Sequence, residues 1–180
     1  MSSLNELLNQ PVSDTAAAVA ARAPTEPRKI SRPATKPLVW SLPGFGPMAR
    51  ITTSFGEVHA QTLRERDLVR TRSGEFKPIK WIDRIVLEEE FLKRHSDAQP
   101  ILIRVGALGR GLPRQDILLS PRQTLAPLAG QFPGSAKVAS DLLHKAGVFR
   151  KAESTITYTM FHCGTPEVVM CEKLWVAVSP

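Results

Sequence analysis

Two cysteines and four histidines head the side chains that could act as nucleophiles, bases or metal ligands in this chain of 180 residues. Cys163 and Cys171 stand either side of a turn signal, Gly164-Thr165-Pro166. On the two arms of a hairpin about that turn the sulfurs would not sit opposite each other. This predicts two free thiols in a reducing compartment, with no disulfide and no CxxC metal site. His59, His95, His144 and His162 share no common spacing. His162 directly precedes Cys163, and a Cys–His pair is a known nucleophilic arrangement. Neighbours in a strand, however, point to opposite faces, which argues against the pair. The chain carries no phosphate loop and no GxGxxG, HExxH or GxSxG signature. Gly106-x-x-Gly109-x-Gly111 precedes no helical pattern and reads as a tight turn. No cofactor and no metal site is expected.

The elements that must position these groups are short. Ala49 to Thr53, Asp67 to Arg72, Pro100 to Val105, Asp116 to Leu119 and Leu174 to Val178 read as strands. Phe76 to Val86 reads as one long, bent strand-rich run, and Ser73-Gly74 as a hairpin signal. Ile156 to Cys163 and Val168 to Cys171 read as a hairpin. Glu88 to Asp97 is a short helix or a loop. Val138, Leu142 and Leu143 fall at helical spacing, so Lys137 to Lys145 reads as a helix. Phe76, Ile79, Trp81, Ile101, Ile103, Leu118 and Leu119 are the expected core, and Asp116 is expected to hold backbone amides at a loop–strand joint. Many short strands with frequent turns predict a mainly β body of about 140 residues.

Composition separates that body from its leader. Pro11, Pro24, Pro27, Pro33 and Pro37 and an Ala-rich run mark residues 1–40 as a disordered, basic tail and linker, leaving 41–180 as the folded domain. Lys and Arg total 24 against 17 Asp and Glu, a formal charge of +7. The tail carries five basic residues against Glu6, Asp14 and Glu26, and the body 19 against 14, so the excess divides as +2 and +5 with no concentrated basic arm. Arg64, Arg66, Arg70 and Arg72 would form a basic stripe if all lay on one strand face. Without a recognised DNA-binding motif, nucleic acid is not the expected partner. No apolar run approaches the roughly 18 residues that span a bilayer. The start of the chain lacks the basic and apolar regions of a signal peptide, so a cytoplasmic monomer is expected.

Gly56-Glu57-Val58, then Leu63-x-x-x-Asp67-x-Val69-x-Thr71-x-x-Gly74 and Phe76-x-Pro78-Ile79-x-Trp81-Ile82, form one recognisable block. Pro100-Ile101-x-Ile103-Arg104-x-Gly106-Ala107-Leu108-Gly109-x-Gly111-Leu112-Pro113-x-x-Asp116-Ile117-Leu118-Leu119-Ser120-Pro121 forms a second. Together they resemble the bacterial Hint domain, the hedgehog/intein-type self-processing module, over roughly residues 44–178. The resemblance implies an all-β, compact, horseshoe-like fold of many short curved strands with pseudo-twofold symmetry and one or two short helices. It also implies autoprocessing. In active members the first residue, usually Cys, attacks the preceding carbonyl and turns the amide into a thioester. A His after a Ser-Pro turn distorts and protonates that amide. Such a scheme needs a nucleophile at the junction and a proton donor within reach.

This chain departs from the pattern at those positions. The junction Cys falls on Gly44, which has no side chain, and the His falls on Gln123, a neutral amide that cannot deliver a proton near pH 7. The family's Tyr-x-His is Tyr158-x-Met160, and its His-Glu is Pro166-Glu167. Val178-Ser179-Pro180 lacks the His-Asn ending of inteins. The expectation is a Hint-like domain that has lost autoprocessing and acts as a binding or structural module for an unknown protein partner, with no catalytic residue. The alternatives are residual self-cleavage with Ser41 as a displaced nucleophile, and a basic nucleic-acid-binding protein.

Overall fold

A computed structural model describes residues 39–127 and 135–180; the tail read over residues 1–40 lies outside it up to residue 38. The described residues all belong to one compact unit. In chain order the elements are β1 (Arg50–Thr53), β2 (Gly56–His59), β3 (Leu68–Arg70), β4 (Phe76–Pro78), β5 (Trp81–Leu87), α1 (Glu89–Arg94) and β6 (Ile101–Ile103). There follow β7 (Ile117–Leu119), β8 (Thr124–Leu125), β9 (Lys137–Val138), β10 (Val148–Arg150), β11 (Ile156–His162), β12 (Glu167–Cys171) and β13 (Leu174–Val178). This is the all-β architecture the sequence implies, with one small helix and isolated 3-10 turns.

The strands pair antiparallel. The largest sheet runs β4-β3-β1-β12-β13-β8-β9 with β2 on β1, beside sheets β10-β6-β7 and β11-β5. Phe45 bridges Leu119 and Thr159, so residues around it sit between β7 and β11. Alternation decides which faces are buried. Leu174, Val176 and Val178 face the core from β13, while Trp175 and Ala177 lie half-buried on the other face. The main core gathers Phe45, Ile51, Val69, Ile101, Leu119 and Val176, and each such side chain stabilises the fold by roughly 1.5–3 kcal/mol. A smaller cluster joins Leu87, Leu92, Ala98, Ile156 and Tyr158, with Trp40 packed on it. The helix α1 buries only Leu92. Its acidic first turn and basic last turn suit the helix dipole, and Glu89 pairs with Lys93 at 2.7 Å and Glu90 with Arg94.

Several readings of the sequence need correction. β11 does not form a hairpin with β12. It pairs along its whole length with β5, and β12 has both edges occupied by β1 and β13. Gly164-Thr165-Pro166 is thus a corner between sheets. The run from Phe76 to Val86 breaks into β4 and β5 at Ile79-Lys80, where Ile79 N–H donates to Asp67 O and Lys80 N–H to His162 O, both at 2.9 Å. The expected helix over Lys137–Lys145 is β9 followed by a single 3-10 turn, Ala139–Leu142. Ala139 N–H donates to Gln123 O (2.9 Å) and Ser140 N–H to Pro121 O (3.0 Å), so these donors tie the segment to the turn before β8.

Two expected core residues are exposed. Phe76, 44% exposed, lies on the short edge strand β4 opposite Arg70, while Ile79 beyond it enters the core. Trp81, 42% exposed, stacks on His162 at 5.3 Å at the end of β5. The arginine stripe does not form on a single strand. Of the four arginines only Arg70 lies within β3, and Arg66 has a φ of 72° in the preceding turn.

Candidate functional site

The site begins with how the chain enters the domain. Trp40 N–H donates to Asp97 Oδ2 (2.6 Å), and its indole Nε1–H donates to Ser120 Oγ (2.9 Å). Ser120 Oγ–H donates in turn to Leu42 O at 2.5 Å. The indole packs against Phe91 and Tyr158, with ring centroids 6.1 and 5.9 Å apart. Asp97, Ser120, an α1 ring and a β11 ring therefore clamp the residues just before Gly44.

Gly44 itself is buried between β7 and β11. Its carbonyl accepts from Ser120 N–H (2.9 Å). Phe45 exchanges both backbone bonds with Thr159 at 2.9 Å, and Gly46 N–H donates to Leu118 O at 2.8 Å. The Gly44 N–H, on the residue that the motif register aligns with the junction, donates to Gln123 Oε1 at 2.9 Å. Gln123 Nε2–H donates to Ala177 O at 2.7 Å, which fixes the carboxamide in one orientation. The structure thus brings together the two positions that the motif register selects, Gly44 and Gln123.

In the direction a Cβ would take from Gly44 there is no space for a side chain. A Cβ built there would lie 2.8 Å from Tyr158 Cβ and 3.2 Å from its Cγ. Real carbon atoms do not approach so closely, so Tyr158 occupies the space a Cβ at residue 44 would need. Tyr158 is fully buried and donates its hydroxyl to Ala98 O at 2.9 Å. Burial raises its phenol well above the ordinary tyrosine range, so it remains a neutral donor.

On the other side of Gly44 a groove of about 470 Å³ opens. Its lining includes Phe45, Trp81, Arg122, Gln123, Met160, His162 and Val178. Met160 therefore reaches the same site as Gly44 and Gln123. Pro166-Glu167 does not line it. Glu167 pairs with Lys77 at 2.5 Å, and that hydrogen bond holds its carboxyl below the ordinary range. Ser41 is exposed and borders a separate groove of about 270 Å³ with Trp40, Phe91 and His95. Cys163 and Cys171 are both free and buried, and burial pushes both thiols up, toward the inert protonated form. His162 lies in the groove while Cys163 joins the core. Asp116 Oδ1 accepts from Val105 N–H (2.8 Å), as the joint between loop and strand requires. Among the described residues no group of three or more His, Cys, Asp or Glu could hold a metal, and no helix is long and apolar enough to cross a membrane.

Two groups went unnoticed in the sequence. The Trp40 clamp has no local signal, because its partners lie in distant segments. Glu172, 1% exposed at the β12–β13 turn, takes a bidentate pair from Arg50 at 2.7 and 2.8 Å. A Glu-Lys turn would not ordinarily be read as a buried ion pair.

The sequence profile described as the Hint domain matches residues 43–177, and the chain belongs to that family. Among solved structures it is similar to the gp41-1 intein, at 9% identity and a TM-score of 0.51, over 76% of this chain and 98% of that one. It is likewise similar to a DnaB intein from Synechocystis sp. PCC 6803, at 8% identity and a TM-score of 0.52, over 77% of this chain and 100% of that one. At such identities the likeness is one of fold. No curated protein sequence matches the chain.

Proposed function

We propose that this Hint domain has lost autoprocessing and acts as a binding or structural module. The observation that carries the reading is the packing at Gly44: it has no nucleophile, and a Cβ added there would meet Tyr158 at 2.8 Å. Gln123 supports it, since an amide that accepts from the Gly44 N–H cannot protonate that nitrogen. The junction amide is bound but neither attacked nor made a leaving group. The test is denaturing intact mass of the full chain over days at mildly alkaline pH, with and without added thiol or hydroxylamine. A single unchanged mass is expected; loss of the segment upstream of Gly44 overturns the reading.

One observation favours a second reading. Ser41 lies in the same groove as His95, an imidazole able to serve as base. In that case the Ser41 hydroxyl attacks the Trp40 carbonyl, the Trp40–Ser41 amide becomes an ester, and water releases the upstream segment. This reading requires a mass loss ending at Trp40 that Ser41→Ala abolishes.

A further inference from the structure

We propose that the outer face of the largest sheet, where β3 and β4 meet β12, binds single-stranded nucleic acid. The inference does not depend on the fate of autoprocessing at Gly44. Thr71 is fully buried and bridges Val169, so Arg70 and Arg72 on either side of it project from the other face, where both are exposed. Phe76 on β4 stands opposite Arg70. Arg72 N–H donates to Val168 O at 2.8 Å, and Val168 pairs with Ala177 on β13. Val168 and Ala177 alternate with the buried Val169 and Val176, so they share the outer face with the two arginines.

Neither guanidinium has an ion pair or hydrogen bond among the described residues. The acids around them are committed elsewhere. Glu167 borders a shallow depression with Arg72, Val168 and Ser179, but its carboxylate is held by Lys77 at 2.5 Å. Glu75 lies near that same Lys77, which strand alternation turns away from Phe76. On the adjoining β1 and β2, Arg50 and Lys173 pair with Glu57 and Glu172, so their charges cancel. Arg70 and Arg72 therefore give the face a positive charge that nothing described in the fold neutralises.

Two cations two residues apart lie about 6.7 Å from each other along the chain, which suits successive charges on an extended polyanion. Phe76, 44% exposed on the edge strand, offers its ring beside the first of them. Unpaired nucleotides supply both partners in one repeat, a phosphate for each guanidinium and a base face for the ring. A duplex keeps its base faces stacked inside and cannot use the ring. A bilayer fits less well, because Val168 and Ala177 are half-buried within the sheet and do not protrude into acyl chains. An acidic peptide would meet the arginines and leave the ring uncovered.

The experiment titrates the full chain into a labelled thymidylate dodecamer and into a duplex of the same length, by fluorescence anisotropy. Polyglutamate and phosphatidylserine vesicles serve as separate competitors. The single strand is expected to bind more tightly than the duplex. With two phosphates contacted, its affinity should fall about 25-fold for a tenfold rise in salt. Arg70→Gln should weaken binding about fivefold at low salt and halve the logarithmic salt slope. Phe76→Leu keeps an apolar side chain and removes only the ring; it should weaken binding about fivefold and leave the slope in place. Arg110→Gln, an exposed arginine of the β6–β7 loop, should change neither. The melting midpoint should hold in all three variants, since each side chain is exposed. No binding at low salt in the micromolar range, or a duplex bound as tightly as the single strand, overturns the proposal. So does displacement by polyglutamate or by the vesicles, or a loss in Arg110→Gln equal to that in Arg70→Gln.

Discussion

On one side of Gly44, Tyr158, Trp40 and Ser120 fill the space, and their polar atoms are paired. On the other side, Trp81, Met160 and His162 border an open groove, and Arg122 is left unpaired among the described residues. The same residue separates a packed face from an empty one. The difference teaches which way a side chain at position 44 could not point. The Gly44 N–H is held by Gln123, while a Cβ at position 44 would meet Tyr158. The groove side keeps its room.

The largest expected effect tests the packed face. Trp40→Ala removes two ring contacts and the bond to Ser120, and should cost about 3 kcal/mol in urea unfolding. If Trp81→Ala on the open face costs as much, the contrast fails. Gly44→Cys should cost about 2 kcal/mol by overpacking against Tyr158 and should still show one mass under denaturing conditions. Tyr158→Phe keeps the ring and loses only the bond to Ala98, for about 1 kcal/mol in the same assay. Arg122→Gln should change stability by no more than about 0.5 kcal/mol, because its charge serves nothing within the fold.

The smallest effect is a pH dependence at the edge of the sheet. Glu167 is held below the ordinary carboxylate range by its hydrogen bond to Lys77. Its contribution is therefore whole above the unfolded carboxyl's range and is lost as pH falls through the lower folded value. Lys77→Met should flatten that part of the acid limb of a stability–pH curve, and an unchanged limb would remove the pair from the account.

The fold class and the meeting of Gly44 with Gln123 were legible because the motif blocks fix register through local turns. Gly106, Gly109 and Gly111 have φ values of 74°, 90° and 69°, so the glycine spacing there reflects backbone need. Strand partnership was not legible. The corner at Gly164-Thr165-Pro166 carries a hairpin's residues, but β11 lies against β5 because β12 is already flanked on both edges. Nor could the sequence show why position 44 is glycine. The reason is a tyrosine far along the chain, brought next to it by a strand whose pairing local signals misassigned.

The bonding of residues 44–46 has a mechanical consequence. Gly44, Phe45 and Gly46 are tied to β7, β11 and the Ser120–Gln123 turn by bonds lying across the chain direction. Tension applied upstream of Trp40, with β13 held, loads those bonds in shear, so they must break together instead of unzipping one by one. Residues 44–46 would then serve as a firm attachment point for whatever is joined upstream.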